Sequence, residues 1–222
     1  MLRRARARLW DALLRYLTTP IPRTGAAAAE SIESLAGVLR RGDVLLSEGN
    51  TRVSRLIKRV TGSPWSHVSM YVGPLDDGHD PRCIVEADIA AGVRSIRLSE
   101  LDALNVRVLR PASLDSTRRS RLAEWVTSRI GSEYDHAHAL QLGRRLLRLP
   151  LRRKAGPAST ATTTATRFIC CSLLVQAFAS VGLAIAPLRP CSDAKACADP
   201  ASITPADFEQ APVFEVIGLT GR

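Results

Sequence analysis

The stretch GDVLLSEGNTRVSRLIKRVTGSPWSHVSMYVG (residues 42–73) places a helical pattern between two strand patterns. An apolar run after the turn signal Gly42-Asp43 predicts a strand, and the alternation in SHVSMYVG predicts another. Between them, residues 51–61 carry apolar side chains at helical spacing: Val53, Leu56, Ile57 and Val60. The segment GSPW ends this helix, so the stretch predicts strand, helix and strand in that order.

Three further strand patterns follow downstream. They are RCIVEAD, GVRSIRL and NVRVLRP, and the turn signals between them favour antiparallel neighbours. Ser113 or Asp115 is a suitable cap for a helix that runs to Ile130. A later helix opens with two cysteines, and a short helical turn and a closing strand follow in the tail. The predicted fold class is α+β, with a small antiparallel sheet packed against the helix that carries the cysteines.

The charge of the chain favours anionic partners. Its 222 residues include 31 Lys+Arg against 21 Asp+Glu, a formal net charge of +10. Nucleic acid and anionic lipid are the two candidate partners, and a merely solvated basic face is the alternative to both. The few aromatic residues do not interleave with the basic ones, so nucleic acid is the less favoured partner.

Residues 2–17 form a basic amphipathic pattern, with leucines and Trp10 on one stripe and arginines beside it. Such a helix either lies on an anionic membrane surface or packs on its own domain. A linker follows at 18–31, so we expect an N-terminal unit at 1–38 and a catalytic domain at 39–222, with a basic, low-complexity insert at about 136–166. No secretion signal or membrane span is predicted, so the expected location is the cytoplasm, either free or peripheral on the inner face of a membrane.

The five cysteines are expected to be reduced. Their odd number and the lack of an export signal argue against a disulfide framework. Whether Cys191 and Cys197 pair stays open, and no CxxC pairs are present to form a zinc ribbon.

The segment FICCSLLVQAFASVG (residues 168–182) suggests a nucleophilic thiol. A thiolate is the reactive form, and the N-terminus of a helix favours it through unsatisfied backbone N–H groups and the helix dipole. The residues alone do not decide between Cys170 and Cys171.

A base and an acid to orient it can be proposed from two predicted strands. His67 begins one strand and, unlike the histidines at 79, 136 and 138, is flanked by core residues. Glu86 lies in the apolar strand CIVEAD and needs a buried partner, with Asp88 as the fallback acid. A purely structural histidine is the alternative interpretation of His67.

The order of these segments resembles the permuted papain-like hydrolases of the NlpC-like superfamily, YiiX/YebB type, which are related to the lecithin:retinol acyltransferase-like enzymes. The similar pieces are residues 42–73, IVEADIAAGV, GSEYD, FICCSLLVQAF and ITPADF. The resemblance implies a permuted papain-like fold with a sheet or half-barrel beside the cysteine helix. Leu173, where the family frequently has Glu, and the insert depart from the pattern.

The resemblance also assigns roles to residues. It implies a triad of Cys171, His67 and Glu86, since Cys171-Ser172 matches the family's nucleophile motif. Tyr134, Ser66 and Trp65 would lie on the substrate side.

The implied activity is a thiol hydrolase or acyltransferase that acts on an amide or ester through a thioester, on a lipid-linked or peptide substrate at a membrane surface. No metal and no cofactor are expected. A catalytically idle lipid-binding or interaction module on the same fold is the main alternative, and a zinc hydrolase using His67, Glu86 and a cysteine is another. The oligomeric state is not predicted.

Overall fold

The structure is a computed structural model that describes residues 12, 14–21, 36–136, 167–185 and 203–220. Several predictions fall outside these residues: most of the helix at 2–17, nearly all of the insert at 136–166, and the pair Cys191 and Cys197. Ala12 and residues 14–18 are helical. The domain boundary near residue 39 stays a prediction.

A six-stranded sheet forms the centre of the described fold. Its order is β4-β3-β2-β1-β5-β8, and every neighbouring pair is antiparallel. A separate parallel pair joins β6 to β7. The strands are β1 Val44–Glu48, β2 His67–Tyr71, β3 Arg82–Asp88, β4 Gly92–Arg97, β5 Asn105–Pro111, β6 Glu133–Tyr134, β7 Arg167–Phe168 and β8 Phe214–Thr220. The five strands predicted from the sequence up to residue 111 are all members of this sheet, and β8 is the predicted closing strand.

In the described residues, four α-helices with complete bounds accompany the sheet, besides a short 3-10 helix at Leu98–Leu101 and the helical residues before Thr19. The four are α1 Arg52–Thr61, α2 Ser116–Thr127, α3 Cys170–Ser180 and α4 Pro205–Gln210. The caps explain two of the starts, because Thr51 Oγ1 accepts from the N–H of Ser54 and Asp115 Oδ1 accepts from the N–H of Arg118. The predicted end of α2 at Ile130 is three residues too late, since the chain turns after Thr127.

Helix α3 lies in the core and fixes the position of the cysteines. Its side chains at Leu173, Leu174, Ala177 and Phe178 are fully buried, and it packs on β2, β3 and α2. Burial of this many apolar side chains stabilises the helix far more than its own propensity does. The α+β class, with an antiparallel sheet packed against the cysteine helix, is confirmed.

The described segment 14–21 attaches to the start of α1. Pro20 forms an isolated bridge with Thr51, and the N–H of Ile21 donates to the carbonyl of Asn50 over 2.8 Å. In the part of the chain that the structure describes, no helix has the length and apolar character needed to cross a bilayer.

Candidate active site

The candidate general base, His67, lies on a strand in the middle of the sheet. His67 is the first residue of β2, which lies between β1 and β3. Its Nε2 is 2.8 Å from Glu86 Oε2, so the imidazole N–H donates to that carboxylate. This bond leaves Nδ1 as the ring nitrogen that can serve a substrate or nucleophile.

Glu86 is buried and is held from two sides. Its strand neighbour in register is Arg94 on β4, whose Nε and Nη2 lie 2.9 and 2.7 Å from Glu86 Oε1. Burial by itself raises the pKa of the Glu86 carboxyl, but the charges and hydrogen bonds of His67 and Arg94 outweigh it and lower the pKa to about 2. The carboxylate is therefore ionised at any pH near neutrality.

The thiol that meets the imidazole belongs to Cys170. The pKa of Cys170 lies well below its ordinary value: a hydrogen bond from the Cys171 thiol lowers it most, burial opposes this, and His67 lowers it further. The backbone N–H of Cys171 also lowers the pKa of the Cys170 thiol. Burial lowers the pKa of His67, but Glu86 and Cys170 together raise it well above its ordinary value. The two shifts favour a thiolate beside an imidazolium.

The neighbouring thiol of Cys171 has the opposite character. It is 2% exposed and belongs to the hydrophobic core, whereas Cys170 is only partly buried. Burial first, and Cys170 second, raise its pKa well above the ordinary value. Successive residues on a helix point about 100° apart, so two adjacent cysteines cannot both face one imidazole. The structure brings His67 to Cys170 and not to Cys171, which differs from the register that the resemblance implied.

A capping hydrogen bond fixes the start of α3 beside these thiols. The N-cap residue is Ile169, and its backbone N–H donates to Ser172 Oγ over 3.0 Å. Cys170 is thus the first helical residue, where the helix dipole favours an anionic sulfur.

Tyr134 lies close to the same thiols. Burial raises the pKa of its hydroxyl well above the ordinary value, and the nearby Cys170 and Cys171 raise it further. Tyr134 belongs to β6, which pairs in register with Phe168 just before α3. Tyr134 thus lies near the two thiols, and its substrate-side position stays a prediction.

Backbone contacts fix the segment that carries Tyr134. The N–H of Val93 donates to the carbonyl of Ser132, and the N–H of Gly131 donates to the carbonyl of Val93. Gly92 has a φ of +76°, and a Cβ there would lie 2.3 Å from the Ser132 oxygen. Only glycine allows this approach.

An open pocket of about 460 Å³ lies next to Tyr134. It is formed by the β3–β4 turn and by the segment before and after β6. Its lining residues are Ala90, Ala91, Gly92, Gly131, Ser132, Glu133, Tyr134 and His136. Tyr134 is the lining residue that connects this pocket with the surroundings of the two thiols.

Trp65 and Ser66, the other two residues expected on the substrate side, are buried in the structure. Trp65 is 3% exposed and packs in the core, with the guanidinium of Arg107 5.1 Å from its ring centroid. Ser66 Oγ accepts from the N–H of Gly49 over 2.9 Å. Their surroundings are those of residues that shape the loop before His67, and their substrate-side position stays a prediction.

The fallback acid Asp88 holds a turn, and of the remaining histidines the structure describes His79 and His136, whereas His138 lies outside the described residues. Asp88 Oδ1 accepts from the N–H groups of Ala90 and Ala91 and so forms the β3–β4 turn. His79 is exposed, and the His136 ring lies 5.2 Å from that of Tyr134. Among the described residues, no group of three or more His, Cys, Asp or Glu side chains could hold a metal ion.

Sequence reasoning missed Arg94 and the interaction of Cys170 with His67. Arg94 could have been found from the strand pattern, because an arginine in the apolar strand after Glu86 is a natural cross-strand partner for it. Cys170 had no comparable signal, since the choice between adjacent thiols depends on the rotation of α3 about its axis.

Comparisons with known proteins agree with this fold. Residues 38–144 match the family described as "Permuted papain-like amidase enzyme, YaeF/YiiX, C92 family". This range contains His67, Glu86 and Tyr134 but neither candidate cysteine, so it does not choose between the two thiols. A search of curated proteins gave no significant match.

A solved structure is similar over most of the chain. It is the metalloprotein yiiX from Escherichia coli O157:H7, with a TM-score of 0.56 and 15% sequence identity, over 81% of this chain and 96% of that one. The similarity shows a shared fold. Together with the family match, it identifies this chain as one with a permuted papain-like fold that is similar, over residues 38–144, to the amidases of the YaeF/YiiX, C92 family.

Proposed function

We propose that this chain is a cysteine hydrolase of amides or esters in which Cys170 is the nucleophile, His67 the base and Glu86 the residue that orients the base. The observation that carries the proposal is the 2.8 Å contact of the His67 imidazole with the Glu86 carboxylate, together with the interaction of His67 with Cys170 that lowers the pKa of this thiol. A cysteine activated by an imidazole that a third group orients is the arrangement of thiol acyl-transfer enzymes. The family match supports the hydrolase class.

Cys170 fits the role of nucleophile better than Cys171 for two reasons. A nucleophile must be reached by its substrate, and Cys170 is the more exposed of the two thiols. It must also be a thiolate near neutral pH, and only the pKa of Cys170 is lowered among the described cysteines. Cys171 then acts as a hydrogen-bond donor, with its Sγ 3.9 Å from that of Cys170.

The proposed reaction has two stages. The Cys170 thiolate attacks the acyl carbon, the carbonyl electrons move to the oxygen, and the positive end of α3 stabilises the resulting oxyanion. As the intermediate collapses, the amine or alcohol leaves with the proton of the His67 imidazolium and a thioester remains on Cys170. His67 then takes a proton from water, which attacks the thioester and releases the acid and the thiolate.

The proposal extends to the acceptor of the acyl group and to the place where the substrate binds. An alcohol or amine in place of water would make the same site an acyltransferase. The pocket beside Tyr134 would take the group next to the scissile bond, which gives Tyr134 a substrate contact. The competing proposal is a catalytically idle binding module, which would keep the fold but form no thioester.

The test is the pH dependence of thiol alkylation by iodoacetamide, with each site identified by mass spectrometry. We expect Cys170 to be alkylated at a pH well below that of an ordinary thiol, and this reaction to be lost in Cys170→Ser. The matched variant Cys171→Ser keeps a hydrogen-bond donor and should keep the fast reaction. In His67→Ala the reaction should require a higher pH.

Two results would contradict the proposal. Fast alkylation at Cys171 would restore the register implied by the resemblance. Equal alkylation of all thiols in the native protein would remove the activated nucleophile and favour the idle module. A panel of N-acyl amides and acyl esters, with trapping of the thioester at low pH, then defines the substrate class.

A further inference from the structure

Helix α1 turns its apolar side chains away from the core. The spacing of its apolar residues predicts a face that packs on the domain, yet Val53, Leu56 and Ile57 are only half-buried or exposed, and Leu56 is 44% exposed. The buried residues of the helix are instead Ser54 and Thr61. Neither hydrophobic cluster of the described residues includes the three apolar side chains.

Polar contacts explain this orientation. Ser54 Oγ is 2.8 Å from Thr51 Oγ1, and a Cβ on Gly49 would lie 2.3 Å from Ser54 Oγ. The loop before α1 therefore packs against the polar side of the helix. Leu56 is two positions after Ser54 and therefore lies on nearly the opposite side of the helix, towards solvent.

The outward side of α1 is also basic. The helix carries Arg52, Arg55, Lys58 and Arg59, and it contains no acidic residue. Lys58 forms an ion pair with Glu48 over 2.7 Å, and the Arg52 guanidinium packs on the ring of Tyr16 in the N-terminal segment. Arg55 and Arg59 are exposed, and within the described residues neither forms an ion pair. They flank the exposed Leu56 with positive charge.

The described end of the N-terminal segment extends the same surface. The Arg52 guanidinium lies 4.3 Å from the centroid of the Tyr16 ring and donates to the Tyr16 carbonyl over 3.2 Å. Tyr16 is 58% exposed and its neighbour Arg15 is exposed as well. An exposed aromatic ring therefore lies beside the first turn of α1.

We propose that the outward surface formed by Arg55, Leu56, Arg59 and Tyr16 binds the surface of an anionic lipid bilayer. Apolar side chains on one side of a helix, with arginines beside them, match the layered chemistry of a bilayer interface, where acyl chains lie below anionic headgroups. Tyrosine is suited to the same depth. A nucleic acid would satisfy the arginines but offers no acyl layer to Leu56.

The proposal does not depend on the catalytic proposal. It concerns α1, whereas the thiol, the imidazole and the carboxylate lie on α3, β2 and β3. Alkylation of Cys170 measured without lipid therefore reports on the site alone, and vesicle binding reports on the surface alone.

The experiment is co-sedimentation of the full chain with vesicles of phosphatidylcholine, with and without an equal part of phosphatidylglycerol. We expect binding to the anionic vesicles only. Arg55→Gln with Arg59→Gln should lower the partition coefficient about 25-fold, since each cation near an anionic surface contributes roughly 5-fold. Leu56→Gln should lower it as well, and its effect should persist in high salt, which screens charge but not apolar burial.

The matched control is Arg118→Gln with Arg121→Gln on α2. These arginines are also exposed on a helix, so the control removes the same charge elsewhere. It should leave the partition coefficient within a factor of about two, as expected for cations away from the lipid surface. The proposal is overturned if the wild-type protein does not sediment with anionic vesicles, if the control pair weakens binding as much as the α1 pair, or if Leu56→Gln has no effect at high salt. Circular dichroism of each variant checks that α1 and α2 remain folded.

Discussion

The strand side and the helix side of the candidate site are built in different ways. On the strand side, Glu86 is held by His67 and Arg94 through hydrogen bonds on neighbouring strands. On the helix side, two adjacent thiols share the first turn of α3, and its rotation decides which one meets the base. Pairing across a sheet thus fixes the base by several contacts, whereas the nucleophile is selected by the phase of a single helix.

The largest expected effect separates the two thiols. Cys170→Ser should lower kcat/KM by about four orders of magnitude or more, because a serine hydroxyl in a site built for a thiolate is a poor nucleophile. Cys171→Ser should stay within about tenfold of the wild-type value, since the hydroxyl can still donate to Cys170. Steady-state kinetics on an acyl amide or ester measures both, and the reverse order of effects would show that α3 presents Cys171.

The next effect probes the strand side. Glu86→Gln should lower kcat by roughly a thousandfold, because the base loses the carboxylate that fixes its orientation and charge. Without that charge the pKa of His67 falls, so the alkylation midpoint of Cys170 should move to higher pH. An unchanged midpoint would show that the thiol does not depend on the strand pair.

Acid stability should reveal the same carboxylate. The pKa of Glu86 is lower in the folded protein, at about 2, than its ordinary value of 4.5. The stability that it contributes is present above pH 4.5 and is lost as the pH falls towards 2, by up to about 3 kcal/mol. The measurement is the difference in unfolding free energy between wild type and Glu86→Gln across this range. A difference that does not shrink on acidification would contradict it.

The smallest expected effect concerns Arg94. Its side chain lowers the pKa of Glu86, so Arg94→Gln should raise that pKa and move the acidic limb of the pH–rate profile to higher pH. The rate at neutral pH should fall only a few-fold, because the arginine acts through Glu86 and is partly exposed. Arg82→Gln, an exposed arginine on the same strand as Glu86, is the control and should leave the profile unchanged.

The sequence was informative where one side chain had few possible partners. An acid in the apolar strand of Glu86 needed a neighbour, and the structure brings His67 to it as the order of the strands predicted. Their catalytic roles stay predictions. Cys171 was chosen by aligning Cys171-Ser172 with the nucleophile motif of the similar family. The spacing of residues in a sequence does not give the rotation of a helix on a sheet.

Helix α1 illustrates a second limit. Its apolar spacing was correct as evidence for a helix, but the side it turns to the domain is set by Ser54 and the close approach at Gly49. These contacts are made by a serine and a glycine, neither of which belongs to the apolar pattern. Periodicity therefore identified the element without giving its orientation.

Gly92 couples two parts of the molecule, because the contact between them leaves no room for a Cβ atom at this position. Because a side chain there would displace the Ser132 carbonyl, the strand that holds Arg94 and the segment that holds Tyr134 cannot be altered separately at this point. Under the proposed function, the range of substrates should therefore be varied through Ala90 and Ala91, which line the pocket beside Tyr134. At Gly92, by contrast, a single methyl group would displace the Ser132 carbonyl and thereby shift the segment that holds Tyr134 near the thiols.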